Sequence, residues 1–293
     1  MDDVAPPQRA SAADYLTLTK PGITRMVLVT AAVGFLLAAP APLDWLLLLH
    51  ALVGTGLVAA GAGALNQAWE SEVDKRMART RDRPVPAGRV SARTATAFGV
   101  LLGLLGTAYL LVTTTAAAAV LAALSLLSYV AVYTPLKPVT TVSTLIGGIP
   151  GALPILIGWT ATGRGLSAGA WTLFGIMFLW QIPHFLALAW IYRDDYRKGG
   201  LAMLSVEDPR GETTARQALV YALALLPVSL LPTWYGLADG FYFVAALAAS
   251  SAYIVLAARL AQRRDIARAR RLFFGSLAYL PLVLGIMVVD RWL

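Results

Sequence analysis

Residues 44–66 read DWLLLLHALVGTGLVAAGAGALN, and residues 67–83 continue QAWESEVDKRMARTRDR. After Asp44 the first run has no charged residue, and it has the length a helix needs to cross a hydrocarbon core of about 30 Å. The second run is dense in both signs of charge. Working outward, eight more apolar runs of similar length lie at about 22–39, 94–112, 115–133, 142–160, 170–191, 216–234, 239–259 and 272–290. Only Val112 to Thr115 separates the third run from the fourth, yet the stretch from Arg93 to Tyr133 is too long for one crossing. The pattern predicts an all-α polytopic membrane bundle of nine transmembrane helices. It divides into a polar N-terminal segment, 1–21, and one membrane domain, 22–293, with two charged loops at 67–93 and 192–215. The polar lead lacks the basic-then-apolar order of a secretory signal, so the first apolar run is expected to be kept.

Composition agrees. Of 293 residues, 58% are hydrophobic and 14% charged, which excludes an ordinary soluble globule and a disordered chain alike. The absence of cysteine removes disulfide scaffolds, thiol catalysis and cysteine-ligated metal clusters. A net charge of +8 would raise the question of nucleic acid in a soluble domain, and its distribution answers against it. With nine spans, 22 of the 24 Lys and Arg fall on one side, in the N-terminal segment and the 2–3, 4–5, 6–7 and 8–9 connections; only Arg164 and Arg291 lie opposite. Positive residues accumulate in short cytoplasmic loops, so the N-terminus is expected in the cytoplasm and the C-terminus outside, in the inner (plasma) membrane.

Orientation does not account for the acids, 9 of 16 of which sit in the 2–3 and 6–7 loops. Asn66, Glu70 and Asp74 are spaced i, i+4, i+8 and line one helical face. Carboxylates on adjacent turns repel each other, a cost that a divalent cation relieves, and hard oxygen ligands suit Mg²⁺, which usually also binds substrate phosphates. Arg79, Arg81 and Arg83 follow, able to grip phosphate oxygens. A solvated helix end with mutually neutralising i, i+4 pairs would look similar. What favours chemistry is a second such loop on the same side, where Trp180-Gln181-Ile182-Pro183-His184-Phe185 runs out into Tyr192-Arg193-Asp194-Asp195-Tyr196-Arg197-Lys198. Two carboxylate-bearing helix ends could bridge a diphosphate through metal ions.

The pattern Asn66-x-x-x-Glu70-x-x-x-Asp74, followed by Met77-Ala78-Arg79-Thr80 and Arg83-Pro84, resembles the first motif of the UbiA superfamily of intramembrane prenyltransferases. Within it, Leu18-Thr19-Lys20-Pro21, Tyr133-Thr134-Pro135-Leu136-Lys137, Pro183-His184-Phe185 and Asp195-Tyr196 resemble the branch that farnesylates protohaem IX. The likeness runs from about residue 15 to 205, the last three spans matching in number and hydropathy only. It implies transfer of a farnesyl group from farnesyl diphosphate to a vinyl group of protohaem IX, with Mg²⁺ as cofactor and the lipid bilayer as setting. It also implies an association with a downstream haem A synthase or with oxidase assembly. On this resemblance Asn66, Glu70, Asp74 and Asp195 are the expected catalytic and metal-binding residues. Arg79, Arg83, Lys137, Arg193 and Lys198 are expected on phosphate, with Asp194 and His184 also at substrate.

The sequence departs from the pattern in places. Glutamates stand at 70 and 72 where family members often have aspartate, Tyr192 and Tyr196 flank Asp194-Asp195 where Asp-x-x-x-Asp is frequent, and Ala202 replaces a common proline. The second loop is therefore the weaker metal site. Farnesyl and porphyrin need an apolar chamber, which Gly54, Gly56, Gly61 and Gly63 or Gly147, Gly148, Gly151 and Gly158 could open; close helix packing through small residues is the other reading of these glycines. His50 is expected to be structural, whereas His184 is read as a haem contact or as a helix–helix hydrogen bond. Three alternatives remain at this point: a related transferase with a hydroxybenzoate, quinone-precursor or chlorophyllide acceptor, a secondary transporter, and a haem-binding assembly factor. Transporters place ionisable groups near the membrane midplane, where this sequence has almost none.

Overall fold

Several helix starts in this protein are set by side-chain caps, Ser11, Asp44, Ser91, Thr115 and Ser167 each accepting from the first turn that follows. The computed structural model describes residues 10–292; residues 1–9 of the expected N-terminal segment, Arg9 among them, and Leu293 lie outside it. In chain order the helices are α1 (Ala12–Leu18), α2 (Pro21–Ala38), α3 (Trp45–Trp69), α4 (Ser71–Lys75), α5 (Ala92–Thr113), α6 (Ala116–Leu127), α7 (Thr134–Leu136), α8 (Ser143–Ala161), α9 (Ala168–Ile191), α10 (Arg193–Gly199), α11 (Leu204–Glu207), α12 (Glu212–Trp234), α13 (Gly240–Gln262) and α14 (Ile266–Trp292). Among the described residues there are nine helices long and apolar enough to span a membrane, α6 and α7 counting as one through a π-helical turn, Ser128–Tyr133. Each coincides with one of the nine expected spans.

The uncertain division at Val112 to Thr115 is made by threonines. Thr113 and Thr114 turn their hydroxyls back to the carbonyls of Tyr109 and Leu110, closing α5, and Thr115 Oγ1 accepts from Ala118 N, opening α6. Two spans begin earlier than hydropathy suggested. Asp208 accepts from the Glu212 and Thr214 amides at the head of α12, and Asp265 accepts from Arg268 N at the head of α14, so both helices carry a charged first turn beyond the apolar stretch. The N-terminal segment also holds a helix that hydropathy did not show: Ser11 and Asp14 form a capping box that starts α1.

The bundle closes as two linked rings. α2, α3, α5, α6 and α8 pack in succession around one, α9, α12, α13 and α14 around the other, and α8 against α9 and α2 against α14 join them. Most of the glycines serve packing. A Cβ on Gly34 would lie 1.9 Å from the Ile155 carbonyl oxygen and one on Gly158 1.8 Å from that of Ala31, so α2 and α8 touch backbone to backbone. Gly61 meets Gly99 and Gly103 in the same way between α3 and α5. Pro154 deprives the Pro150 carbonyl of its helical donor, and Ser125 Oγ from α6 supplies a replacement at 3.2 Å. Leucines and valines such as Leu104, Val112 and Val244 remain exposed on the outer faces, as lipid contact requires.

Candidate functional site

The expected face forms, though not on one continuous helix. α3 ends at Trp69, Glu70 sits between helices, and α4 begins at Ser71. The i→i−4 bonds from Glu70 N to Asn66 O (2.9 Å) and from Asp74 N to Glu70 O (2.8 Å) bridge the break and keep the three side chains in register. Asn66 and Asp74 are fully buried and Glu70 nearly so.

Each member of the row has a cation. Lys137 Nζ lies 2.6 Å from Glu70 Oε1, Arg83 Nη1 lies 2.8 Å from Asp74 Oδ2, and Lys20 Nζ donates to Asn66 Oδ1, whose amide nitrogen donates to Thr134 Oγ1 at 3.0 Å. The widened π-helical turn carries two tyrosines toward these cations: Lys137 sits 4.5 Å from the Tyr133 ring centroid and Lys20 6.0 Å from that of Tyr129. Burial pushes the Glu70 carboxyl up, but Lys137 and Lys20 outweigh it and hold it below the ordinary glutamate value. Burial pulls the Lys20 ammonium down, and among the described residues no carboxylate pairs with it. For Lys137 the desolvation is overcome by Tyr133 and Glu70, and its value rises.

Removal of one partner should expose the dependence. Lys137→Met leaves Glu70 buried without its paired cation, Lys20 being the one that remains near it, a loss of roughly 3–5 kcal/mol. A fall in the unfolding midpoint in detergent is expected, and Glu70→Gln in the same chain should recover most of it. Equal midpoints for the single variant and the parent would remove the pair from the account.

The second loop is stitched to the first. Tyr196, Leu201 and Met203 bury against Met77 and Ala189, and Gly199 lies against Met77 with no room for a larger residue to move in freely. Ala202 N donates to the Lys137 carbonyl at 2.8 Å, tying in the third connection. Asp195 is half-buried and faces the Arg79 amide at 3.4 Å, while the Arg79 guanidinium lies 5.5 Å from the Tyr192 ring. The others are placed elsewhere. Asp194 pairs with Arg197 at 2.7 Å on the exposed surface, Arg193 stacks on Trp190 at 4.4 Å, and Lys198 is exposed. Glu72, beside the row in sequence, is exposed and paired with Lys75.

His184 takes the helix–helix role: Nδ1 bonds Ser276 Oγ at 2.7 Å and the ring stacks between Trp180 and Phe273, on the α14 side of α9. His50 is structural, bonded to the Tyr109 hydroxyl at 2.8 Å. Lys20, Tyr129 and Thr134 are the site residues that spacing did not single out. Lys20 carried one signal, a lysine before Pro21 at the head of a span; it adopts φ +50°, a left-handed conformation of the kind that costs roughly 1–3 kcal/mol and clusters at functional sites.

Below the row lies an apolar cavity between α2, α3, α6 and α8, lined by Val27, Val58, Ala59, Leu126 and Pro154, with Lys20 and Tyr129 also on its wall. Gly63, Gly147 and Gly151 border it, although a Cβ on each would also press on a neighbour, the Leu18 carbonyl, the Tyr133 ring and the Gln181 amide respectively, so these glycines both line the cavity and close contacts. The cavity is a mostly apolar slot that meets the charged row through Lys20, whose ammonium bonds Asn66. The family model described as the UbiA prenyltransferase family matches residues 27–279. The chain belongs to that family.

Its relatives extend the finding over nearly the whole length. Protoheme IX farnesyltransferase of Solibacter usitatus is 43% identical over 287 residues, covering 95% of this chain and 98% of its own. The protein of the same name from Opitutus terrae is 45% identical, covering 98% and 97%, and that from Aquifex aeolicus 40%, covering 94% of each. Among solved structures, a digeranylgeranylglyceryl phosphate synthase superposes with a TM-score of 0.81 at 19% identity, covering 95% of this chain and 98% of that one. A UbiA homolog from Archaeoglobus fulgidus bound to GPP and Mg²⁺ superposes with a TM-score of 0.73 at 14% identity, covering 94% and 99%. A member of this family with nine helices, among the described residues, long and apolar enough to span is a multi-pass membrane protein.

Mg²⁺ suits the donor set. Asp74 Oδ1 is buried and accepts no hydrogen bond among the described residues, so one hard oxygen is spare where the row faces its cations. Among the described residues no three acidic or imidazole side chains converge into a metal cage. Mg²⁺ does not require one, since it is usually held by one or two carboxylates together with substrate phosphates.

Proposed function

We propose that this UbiA-family chain transfers the farnesyl group of farnesyl diphosphate to a vinyl group of protohaem IX, giving haem O. The observation that carries the transfer chemistry is the cluster of Lys20, Asn66, Glu70, Asp74, Arg83 and Lys137, which meets an apolar cavity through Lys20 on the cavity wall. The choice of acceptor and donor is supported by the names of the full-length relatives.

The reaction must break the allylic carbon–oxygen bond and let diphosphate leave with the electron pair. The vinyl π electrons then form the new carbon–carbon bond, and water adds to the neighbouring carbon with loss of a proton. Lys20, Lys137 and Arg83 place positive charge where the leaving group gains negative charge, in surroundings too dry to screen it. Asn66, Glu70 and Asp74 would hold Mg²⁺, with Asp195 the contributor from the second loop; the bound ion supplies Lewis-acid stabilisation of the departing diphosphate. The cavity wall keeps water from the allylic cation, and the Tyr129 ring stands at the end where that cation would form. The distribution of Lys and Arg supports a cytoplasmic position for this end of the bundle and the N-terminus, with the C-terminus on the other side of the plasma membrane.

The test is purified protein with farnesyl diphosphate, Mg²⁺ and a panel of acceptors. Protohaem IX should be consumed and hydroxybenzoate, quinone precursors and chlorophyllide left unchanged; prenylation of one of these instead would overturn the acceptor. Filling the cavity with Ala59→Phe should raise KM for farnesyl diphosphate by about tenfold, the scale on which a hydrophobic pocket discriminates size, and leave KM for protohaem unchanged.

A further inference from the structure

The segment from Ser11 to Lys20 is fastened across the charged end of the bundle at several independent points. Asp14 Oδ1 accepts from Arg89 Nε at 2.8 Å, and the Arg89 guanidinium also donates to the Asp82 carbonyl in the loop that carries Arg83. Gln67, the residue after Asn66 in α3, donates through Nε2 to the Thr17 and Leu18 carbonyls at 2.9 and 3.3 Å. Leu18 is fully buried among Ala64, Val85, Val90 and Ala95, and Tyr15 packs edge-on against Phe98. The backbone at Leu18 and Thr19 lies directly on Gly63, where a Cβ would come within 3.1 Å of a carbonyl oxygen. Thr24 Oγ1 holds the Thr19 carbonyl at 2.7 Å. Lys20 then turns left-handed, and its ammonium meets Asn66.

A helix needs none of this to begin at a proline, which is at ease in the first turn. What these contacts fix is the position of one side chain. A lysine on a free N-terminal arm would take its charge to water, since a buried ammonium is costly to desolvate. Here the half-buried side chain ends beside an amide and a tyrosine ring instead.

We infer that residues 11–20 form a strap whose function is to hold the Lys20 ammonium at the leaving-group end of the cavity, with Asp14, Arg89 and Gln67 as positioning residues for that charge. None of the three need touch substrate. Because Arg89 also holds the Asp82 carbonyl, the strap and the loop bearing Arg83 are set by the same guanidinium, and the two cations keep their relation to each other. The inference rests on reading the Lys20–Asn66 end as the diphosphate site.

The test is a double-mutant cycle between the strap and Lys20. Asp14→Asn and Arg89→Gln loosen it from opposite sides, so one informs if the other does not fold. Each should lower kcat/KM for farnesyl diphosphate by about tenfold, the order expected of a small misplacement, and leave KM for protohaem unchanged. In a Lys20→Met background neither should have a further effect, because the charge they position is gone. A merely structural strap would give the same loss in both backgrounds, and unchanged kinetics in the Lys20 background would equally overturn the inference. Should the parent protein prenylate no acceptor, the functional reading fails rather than the strap. The same cycle is then read on the affinity for Mg²⁺ and inorganic pyrophosphate by calorimetry, where loss of the Asp14 and Arg89 effects without Lys20 supports the inference and their persistence contradicts it.

Discussion

Replacing Asp74 with Asn should lower the rate of farnesyl transfer by about 10²–10³-fold, the scale seen when one preorganised electrostatic contact to a developing charge is lost, with little change in folding. The substitution keeps size and retains an oxygen for Arg83, so the site can close as before. Arg83 is partly exposed and can take the unbalanced charge toward water. What disappears is the anionic charge at the buried position whose second oxygen, Oδ1, has no partner of its own among the described residues. Initial rates with saturating farnesyl diphosphate over a Mg²⁺ titration check this. The variant should need more Mg²⁺ and reach a lower plateau, at an unfolding midpoint close to that of the parent. A plateau within threefold of the parent would show that Asp74 has only the structural task of holding Arg83.

Gly158→Val should give the largest loss of stability of any single change considered. Its Cβ would stand 1.8 Å from the Ala31 carbonyl oxygen, a backbone atom in the middle of α2 that no rotamer change can move. α2 and α8 must separate by the order of a methyl group, and both helices wall the cavity. Overpacking a close interior contact costs about 1–3 kcal/mol where side chains can yield, and backbone cannot. The expected result is failure to accumulate folded protein in the membrane, read by fluorescence-detected size exclusion. Gly22→Val, with open space around its Cβ, serves as the matched control and should behave as the parent does. Normal yield and midpoint for Gly158→Val would contradict the backbone contact.

These two residues also mark what the sequence carried. Asp74 was legible because its spacing from Glu70 and Asn66 survives the break between α3 and α4: the i→i−4 bonds persist even where helical dihedrals lapse. Nine spans were legible because apolar length and the alternation of Lys and Arg agree, two signals with separate physical causes. Gly158 was ambiguous. A glycine on an apolar helix reads equally as space for a ligand or as close contact, and only the neighbour's position distinguishes Gly158, against the α2 backbone, from Gly22, with open space around it.

The contacts of Lys20 were hidden for a related reason, although the residue stood in one of the resembling segments. Its partners lie 46 and 109 positions away, and on the charge count it is one more cation among 22 on the same side. Lys198 and Arg193 were legible as cations near acids but not as surface groups, since loop residues have no periodicity from which to read direction. His184 was read two ways, and the choice fell to α14, whose Ser276 and Phe273 no local pattern connects to α9. The π-helical turn at Ser128–Tyr133 left no sign in hydropathy, although it aims the two tyrosines at the lysines.

The central claim is that this charged cluster, joined to an apolar cavity at Lys20, breaks farnesyl diphosphate and delivers the chain to protohaem. It is tested most directly by the mass of haem extracted from cells that lack a transferase of their own and express this protein. The account predicts a haem heavier than protohaem by one farnesyl and one hydroxyl group, present with the parent chain and absent with Asp74→Asn. Unmodified protohaem from cells in which the parent protein is folded in the membrane would contradict it.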